Sequence, residues 1–288
     1  MLSALGVLFD GLAYGSLLFL ISIGLSVTMG LMNFINLAHG AFAMAGGYVC
    51  VVLMNRLGVP FLATLPIAFL ITAALGFVLE RTLYRRLYRA SPLDQVLFSI
   101  ALVFMAMAGA TYVWGPSQQP VELPEMLRGQ LRVLDGLEIG RYRLFLIGVV
   151  VVLTALLAWL IERTRFGAQV RASVDNQQAS AGLGINVSLV FSVTFALGSG
   201  LAGLGGGLGL DVLGLDPAFP IKYMVYFLLV VAVGGAGSIK GTLLAALVLG
   251  VFDVAGKYYV PGVGAFVIYG LMVVLLVLFP GGLLGRRA

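Results

Sequence analysis

Side chains with the widest chemical repertoire are scarce in this chain, which has one histidine, His39, and one cysteine, Cys50. A metal centre needs several converging His, Cys or carboxylate ligands, so His39 alone builds none, and Cys50 alone excludes an internal disulfide. His39 ends a polar series, Asn33, Asn36 and His39, whose three-residue spacing shares one helix face. There the three would cap helix ends or line a polar cavity. As a proton relay, His39 lacks a carboxylate partner nearby in the sequence. Ser199 and Gly203 lie in a glycine-dense stretch, Gly198 to Gly209. Small residues at four-residue spacing let membrane helices approach closely, whereas an unwound stretch would free backbone groups that persist at depth only against protein or a water-filled path. Both readings stand on sequence alone. Gly234 to Gly241 has the glycines of a phosphate loop, but Ile239 precedes Lys240 and Gly241 follows it, so the Walker pattern fails. It reads as a turn.

No paired carboxylates lie in an apolar run, no Ser/His/Asp set has workable spacing, and no His/Cys cluster occurs. The sequence therefore predicts a protein that is not an enzyme, with no catalytic residues, no metal and no cofactor. Asp253 and Lys257, four apart, suit a local ion pair. So few ionisable groups in apolar runs speak against a proton- or sodium-coupled carrier.

One segment has the character of a docking element. After Glu162-Arg163-Thr164-Arg165-Phe166-Gly167, residues 168–183 read as a short helix closed by Gly184, the place for a left-handed C-cap. Val170, Val174, Gln177 or Gln178, Ala181 and Leu183 fall at roughly helical spacing. Arg171, Asp175, Asn176 and Gln178 would be exposed. A small polar helix rich in alanine suits a groove on another protein; the plainer alternative is a loop lying on lipid headgroups.

The elements that must position these residues are membrane spans. With 61% hydrophobic and 10% charged residues and a mean hydropathy of +1.08, the chain cannot wet a globular surface. At about 20 residues per crossing of a ~30 Å hydrocarbon layer, the composition predicts an all-α polytopic membrane protein of eight or nine transmembrane helices, with residues 1–288 forming a single transmembrane domain. The charge-free runs are Gly11 to Met32, Ala38 to Met54, Phe61 to Leu79, Gln95 to Trp114, Leu144 to Ile161 and Val187 to Leu210. Tyr223 to Ile239, Thr242 to Asp253 and Val263 to Leu284 follow; the middle one is short, and the glycine turn beside it would suit a re-entrant bend. No Lys or Arg precedes Arg56, so the basic region of a cleavable signal is missing and the first run is expected to be retained.

Lys and Arg collect on the cytoplasmic side of a membrane protein. With nine crossings one side takes ten basic and four acidic residues, among them Arg81, Arg85, Arg86, Arg163, Arg165, Arg171 and Lys240, while the other takes seven basic and eight acidic. The net charge of +5 is thus a topology signal and gives no reason to expect nucleic acid. Nine crossings put the C-terminus in the cytoplasm and the N-terminus outside; eight would put both inside. The outer loop, about residues 115–143, carries Pro116, Pro120 and Pro124, and Leu131 to Ile139 alternates enough for a short hairpin.

Four blocks, in order along nearly the whole chain, carry a family resemblance. They are Gly24-Leu25-Ser26 with Ile35-Asn36-Leu37-Ala38-His39-Gly40-Ala41 and Gly46-Gly47-Tyr48; Ser91 to Leu97 with Trp114-Gly115-Pro116; Arg163 to Gly167 with Arg171-Ala172 and Leu183 to Asn186; and Gly234 to Ser238 with Gly241. Together they resemble the permeases of branched-chain amino-acid ABC importers, the shorter of the two types above all. The resemblance implies the ABC importer permease fold in a bacterial inner membrane, with membrane lipid around it. It implies as partners a second permease subunit, two ATP-binding subunits that hydrolyse ATP, and a periplasmic solute-binding protein. Under it Arg171, Ala172, Asp175, Asn176, Ala179, Gly182, Gly184 and Ile185, within the segment 162–186, form the coupling element that docks on the ATPase. Candidates for the substrate path are Asn33, Asn36, His39, Ser199 and Gly203. Asp175-Asn176-Gln177-Gln178 stands where many relatives are more acidic, and Lys240 where proline is common. The substrate implied is a branched-chain or other small amino acid; permeases of this type for urea or short amides are an alternative, as is a self-contained channel.

Overall fold

The computed structural model describes residues 2–32, 34, 36–88, 90–134 and 137–284. The helices are α1 (Leu2–Met32), α2 (His39–Leu57), α3 (Phe61–Leu79), α4 (Pro92–Trp114), α5 (Arg141–Arg163), α6 (Arg165–Asp175), α7 (Gln177–Gly182), α8 (Val187–Leu208), α9 (Phe219–Gly234), α10 (Ile239–Tyr259) and α11 (Gly264–Leu278). Between α4 and α5 lies an antiparallel pair, β1 (Gln130–Leu134) and β2 (Leu137–Gly140), in which Leu131 faces Ile139, as the alternation there predicts. The chain is an all-α membrane protein apart from that hairpin.

Among the described residues seven helices, α1 to α5, α8 and α10, are long and apolar enough to cross a membrane, and α9 and α11 are shorter apolar helices of 16 and 15 residues. Among the described residues, contacts between helix ends show how α1, α5, α8, α9, α10 and α11 alternate in direction. An Arg143–Asp10 ion pair joins the starts of α5 and α1, and the Tyr142 hydroxyl donates to the Leu208 carbonyl at the end of α8 (2.5 Å). This is the hairpin end. At the opposite end Lys240 at the start of α10 pairs with Glu162 at the close of α5 (3.7 Å), and the Leu283 amide donates to the Val233 carbonyl (2.7 Å). That end carries Arg81, Arg85, Arg86, Arg163, Arg165 and Arg171, so the charge asymmetry expected of nine crossings is built into the fold.

Two expectations need correction. The middle of the last three runs, Thr242 to Asp253, is not short, for α10 extends past both of its charges to Tyr259. Asp253 stays inside the helix because its buried carboxylate takes a 2.6 Å ion pair from Lys257, one turn on. Its neighbours α9 and α11 are the short helices. The glycines beside it make a tight turn rather than a re-entrant bend: Gly235 and Gly237 have φ of 89° and 83°, and Ser238 then caps α10 through the Gly241 amide.

The core sits where α1 and α8, the most buried spans, meet α2, α3 and α10. Glycine permits it. Gly24 of α1 abuts Gly198 of α8, Gly46 of α2 abuts Gly203, and Gly15 of α1 abuts the Ala246 and Leu247 backbone of α10, each leaving no space for a Cβ. Helices α4 and α5 stand at the periphery. At its arginine-rich end α3 winds into a π-helical turn, Glu80–Tyr84, which turns Glu80 inward. The buried carboxylate accepts hydrogen bonds from the Tyr88 hydroxyl (2.6 Å) and from Ser192 of α8. Hydrogen bonds to a charged acceptor contribute roughly 1.5–3 kcal/mol, so Ser192→Ala should lower the melting temperature of the purified protein by several degrees. An unchanged thermal unfolding curve would mean the bond contributes nothing.

Candidate functional site

The segment from 162 to 186 is a folded projection at the arginine-rich end, built from local hydrogen bonds. Thr164 closes α5 by donating to the Leu160 carbonyl (2.5 Å) and opens α6 by accepting from the Gly167 amide (3.1 Å). Gly167 lies against the Leu160 and Ile161 carbonyls, where a Cβ has no space. That absence lets α6 fold back across the end of α5. Arg171 then donates to the Ile161 carbonyl, fastening α6 in place, while Val170 and Ser173 bury the inner face of the helix.

The single helix expected over 168–183 is in fact two. Asn176 adopts φ −157° and ψ 104°, ends α6, and caps α7 by accepting from the Ala179 amide (2.9 Å). Its short amide side chain competes with the helical backbone, so it both stops one helix and starts the next. Helix α7 closes on Gly184 at φ 84°, the left-handed position the sequence predicts. The Gly184 amide donates to the Ala181 carbonyl and the Ile185 amide to that of Ser180, which is a Schellman arrangement. Asn186 then caps α8 through the Leu189 amide (3.0 Å).

Of the residues proposed for coupling, Arg171, Asp175, Asn176, Ala179, Gly182 and Gly184 are exposed, and Ala172 and Ile185 are half-buried. Of the residues at helical spacing, Val170 is buried and Val174 half-buried, but Gln177, Gln178 and Ala181 are exposed and Leu183 is 82% exposed, because the helix breaks at Asn176. Leu183 is thus the functional candidate that the spacing argument missed. Its position directly before a left-handed glycine was the available signal, since the C-cap of a short projecting helix has no interior to face. Beneath the projection a cavity of about 460 Å³ separates α6 from the ends of α1 and α10, lined by Val27, Gly30, Val170, Arg171, Ser238 and Leu284 among others.

Asn33 lies outside the described residues. The other four path candidates converge in the packed core. The Asn36 side-chain oxygen accepts from the Ala38 amide (3.1 Å) and the Tyr84 hydroxyl (3.0 Å), which ties the α1–α2 connection to the π turn. His39 Nε2 sits 2.8 Å from the Ile21 carbonyl of α1; since a carbonyl only accepts, that nitrogen carries the proton. Ser199 packs on Gly76 of α3, and Gly203 on Thr72 of α3 and Gly46 of α2. All four are buried, and none lines the cavities at 460 Å³ or 750 Å³ between the helices. In this arrangement they act on packing and capping. Helix α8 is continuous through its glycines from Val187 to Leu208. Among the described residues no group of three or more His, Cys, Asp or Glu is placed to hold a metal ion.

The sequence of the whole chain has relatives among known proteins. A family model described as branched-chain amino acid transport system / permease component matches residues 7–276. BraD of Pseudomonas aeruginosa, a high-affinity branched-chain amino acid transport system permease protein, is 28% identical over 97% of this chain and 95% of its own. LivH of Escherichia coli K12, named in the same words, is 26% identical over 97% of this chain and 94% of its own. LivM of E. coli K12, also a permease protein of such a system, is 25% identical over 92% of this chain and 67% of its own. No solved structure matches. The match runs from within α1 to within α11 and takes in the projection between α5 and α8, and the chain belongs to the branched-chain amino acid transport permease family.

Proposed function

We propose that this chain is one of two permease subunits of an ATP-driven importer in a bacterial inner membrane, carrying branched-chain or other small amino acids. The whole chain acts as one transmembrane unit, with its arginine-rich end and C-terminus in the cytoplasm, as the excess of Arg there favours. ATP hydrolysis belongs to two separate subunits, and a periplasmic binding protein delivers solute at the hairpin end. The observation that carries this reading is the projection itself. A two-part element, fastened by Arg171 and Thr164 and presenting Leu183 among alanine and glycine, has little use in a pore that works alone.

The likeness to both LivH and LivM, two permease proteins named for one type of system, supports pairing with a second permease. We assign the solute path to the junction with that partner. Asn36, His39, Ser199 and Gly203 belong to the part of it that closes, near the meeting of α2 and α8, and their tight packing corresponds to a shut state; Asn33 is assigned to the same path from its place in the sequence alone. The test is affinity purification of the tagged chain from its own cells in mild detergent, followed by mass spectrometry and by uptake of labelled leucine into vesicles. Recovery of a second permease and two ATPases, with ATP-dependent uptake, is the expected result. A homo-oligomer that transports without ATP would replace the importer with a channel.

A further inference from the structure

Helices α2, α3 and α4 leave between them an apolar cleft of about 750 Å³. Its floor is α2, with Ala41 and Ala45; Leu75 stands on the α3 side and Met105 and Gly109 on the α4 side. Tyr84 closes it toward the arginine-rich end, and Trp114 lies at the other. Because α4 packs on α2 and α9 and has no comparable contact with α3, the cleft opens sideways, past the exposed side chains of Leu75 and Met105. All three helices are membrane spans, so the opening faces the hydrocarbon layer.

Two polar groups stand in this apolar lining. The rings of Tyr48 and Trp114 stack with centroids 4.3 Å apart, and the Tyr48 hydroxyl and Trp114 indole nitrogen are buried without a hydrogen-bond partner among the described residues. Tyr48 is only 2% exposed. Buried donors are almost always satisfied, so this pair points to an acceptor supplied from outside the chain.

We propose that the cleft holds one acyl chain of a membrane phospholipid, whose ester carbonyl accepts hydrogen bonds from Tyr48 and Trp114. Water is a poor filling, since each buried molecule needs two to four polar partners and the cleft offers polar atoms at one place. From Ala38 to Leu53 the cleft follows α2 for roughly 22 Å at 1.5 Å per residue as a long apolar slot. An extended hydrocarbon chain lies along such a slot and gives α4 the contact it does not get from α3.

The test places the intact transporter in nanodiscs of phosphatidylethanolamine carrying a diazirine on one acyl chain, irradiates it, and maps adducts by peptide mass spectrometry. Adducts are expected on the α2 stretch Ala41 to Tyr48, beside those that bulk lipid leaves on Val151 and Val152 of the exposed face of α5. Gly109→Leu should be well folded, since a Cβ there meets nothing within 4 Å and the rest of the side chain enters the cleft, and should cut the α2 adducts at least tenfold while those on α5 persist. Ala45→Phe, filling the cleft from its floor, should do the same. Adducts on α5 with none on α2 would overturn the proposal. So would cross-linking of Tyr48 to the second permease, which would show a protein covering the cleft.

Discussion

Replacing Leu183 with aspartate should leave the chain folded in the membrane and, under the proposed importer reading, separate it from the ATPase subunit. Leu183 makes no part of the core, being 82% exposed at the tip of α7, so the change costs little stability. It is the one large apolar side chain beside Ala179, Ala181, Gly182 and Gly184, whose small size would let the proposed partner surface come close. Truncating such a central anchor typically costs 2 kcal/mol or more, and a carboxylate in its place adds the penalty of a buried unpaired charge. An affinity loss of about thirtyfold or more follows. Pull-down of the ATPase with the tagged chain should fall to background, and ATP-driven uptake with it. Gln178→Ala, on the exposed side of the same helix, should change neither by more than about twofold. If Leu183→Asp retains its ATPase and transports normally, the projection is not the docking element. Arg171→Glu acts by another route, releasing α6 from the Ile161 carbonyl, and should weaken docking while loosening the segment to limited proteolysis.

Gly46→Leu should yield no folded protein. A Cβ on Gly46 would overlap the backbone of Gly203, and no rotamer relieves a clash with main chain on both sides. Overpacking among side chains costs about 1–3 kcal/mol. Here α2 and α8 must move apart along the crossing, which also frees Thr72 and Ser199 from their contacts with glycine, so the loss exceeds that range. Gly148→Leu provides the control, since a Cβ there meets nothing within 4 Å. It should express and elute from a sizing column as wild type does, while Gly46→Leu aggregates or is degraded. A monodisperse Gly46→Leu protein of normal yield would show that the crossing is loose.

These outcomes separate what a string of residues can reveal from what only packing decides. The hairpin was legible because alternation from Leu131 to Ile139 has one physical meaning on a polar loop, and Gly184 because a left-handed residue closing a helix is nearly always glycine. The boundaries of α1 and α10 were misplaced by charge. Asp10 and Asp253 look like ends of spans until Arg143 and Lys257 are seen to neutralise them, and Arg143 is far away in sequence. The break at Asn176 was hidden because asparagine is tolerated within a helix, and its choice to cap instead is a local competition. Glu80 was hidden for the opposite reason. A π turn has no sequence signature, so nothing in the sequence marks its carboxylate as turned inward. For Ser199 and Gly203 sequence left close packing and an unwound path open, and the continuous α8 selects packing.

The two short helices carry a consequence for the bilayer. Helix α9 is largely surrounded by protein, but α11 shows lipid the side chains of Phe266, Val273, Val274 and Val277. Its 15 residues measure roughly 22 Å at 1.5 Å per residue, several ångströms short of a ~30 Å core. Opposite flanks of one molecule thus ask for different membrane thicknesses, and lipid beside α11 must thin to meet it at a modest cost for each ångström. A neighbour with the same thin flank would share that deformation and reduce it, so the membrane itself favours assembling this face against another short helix.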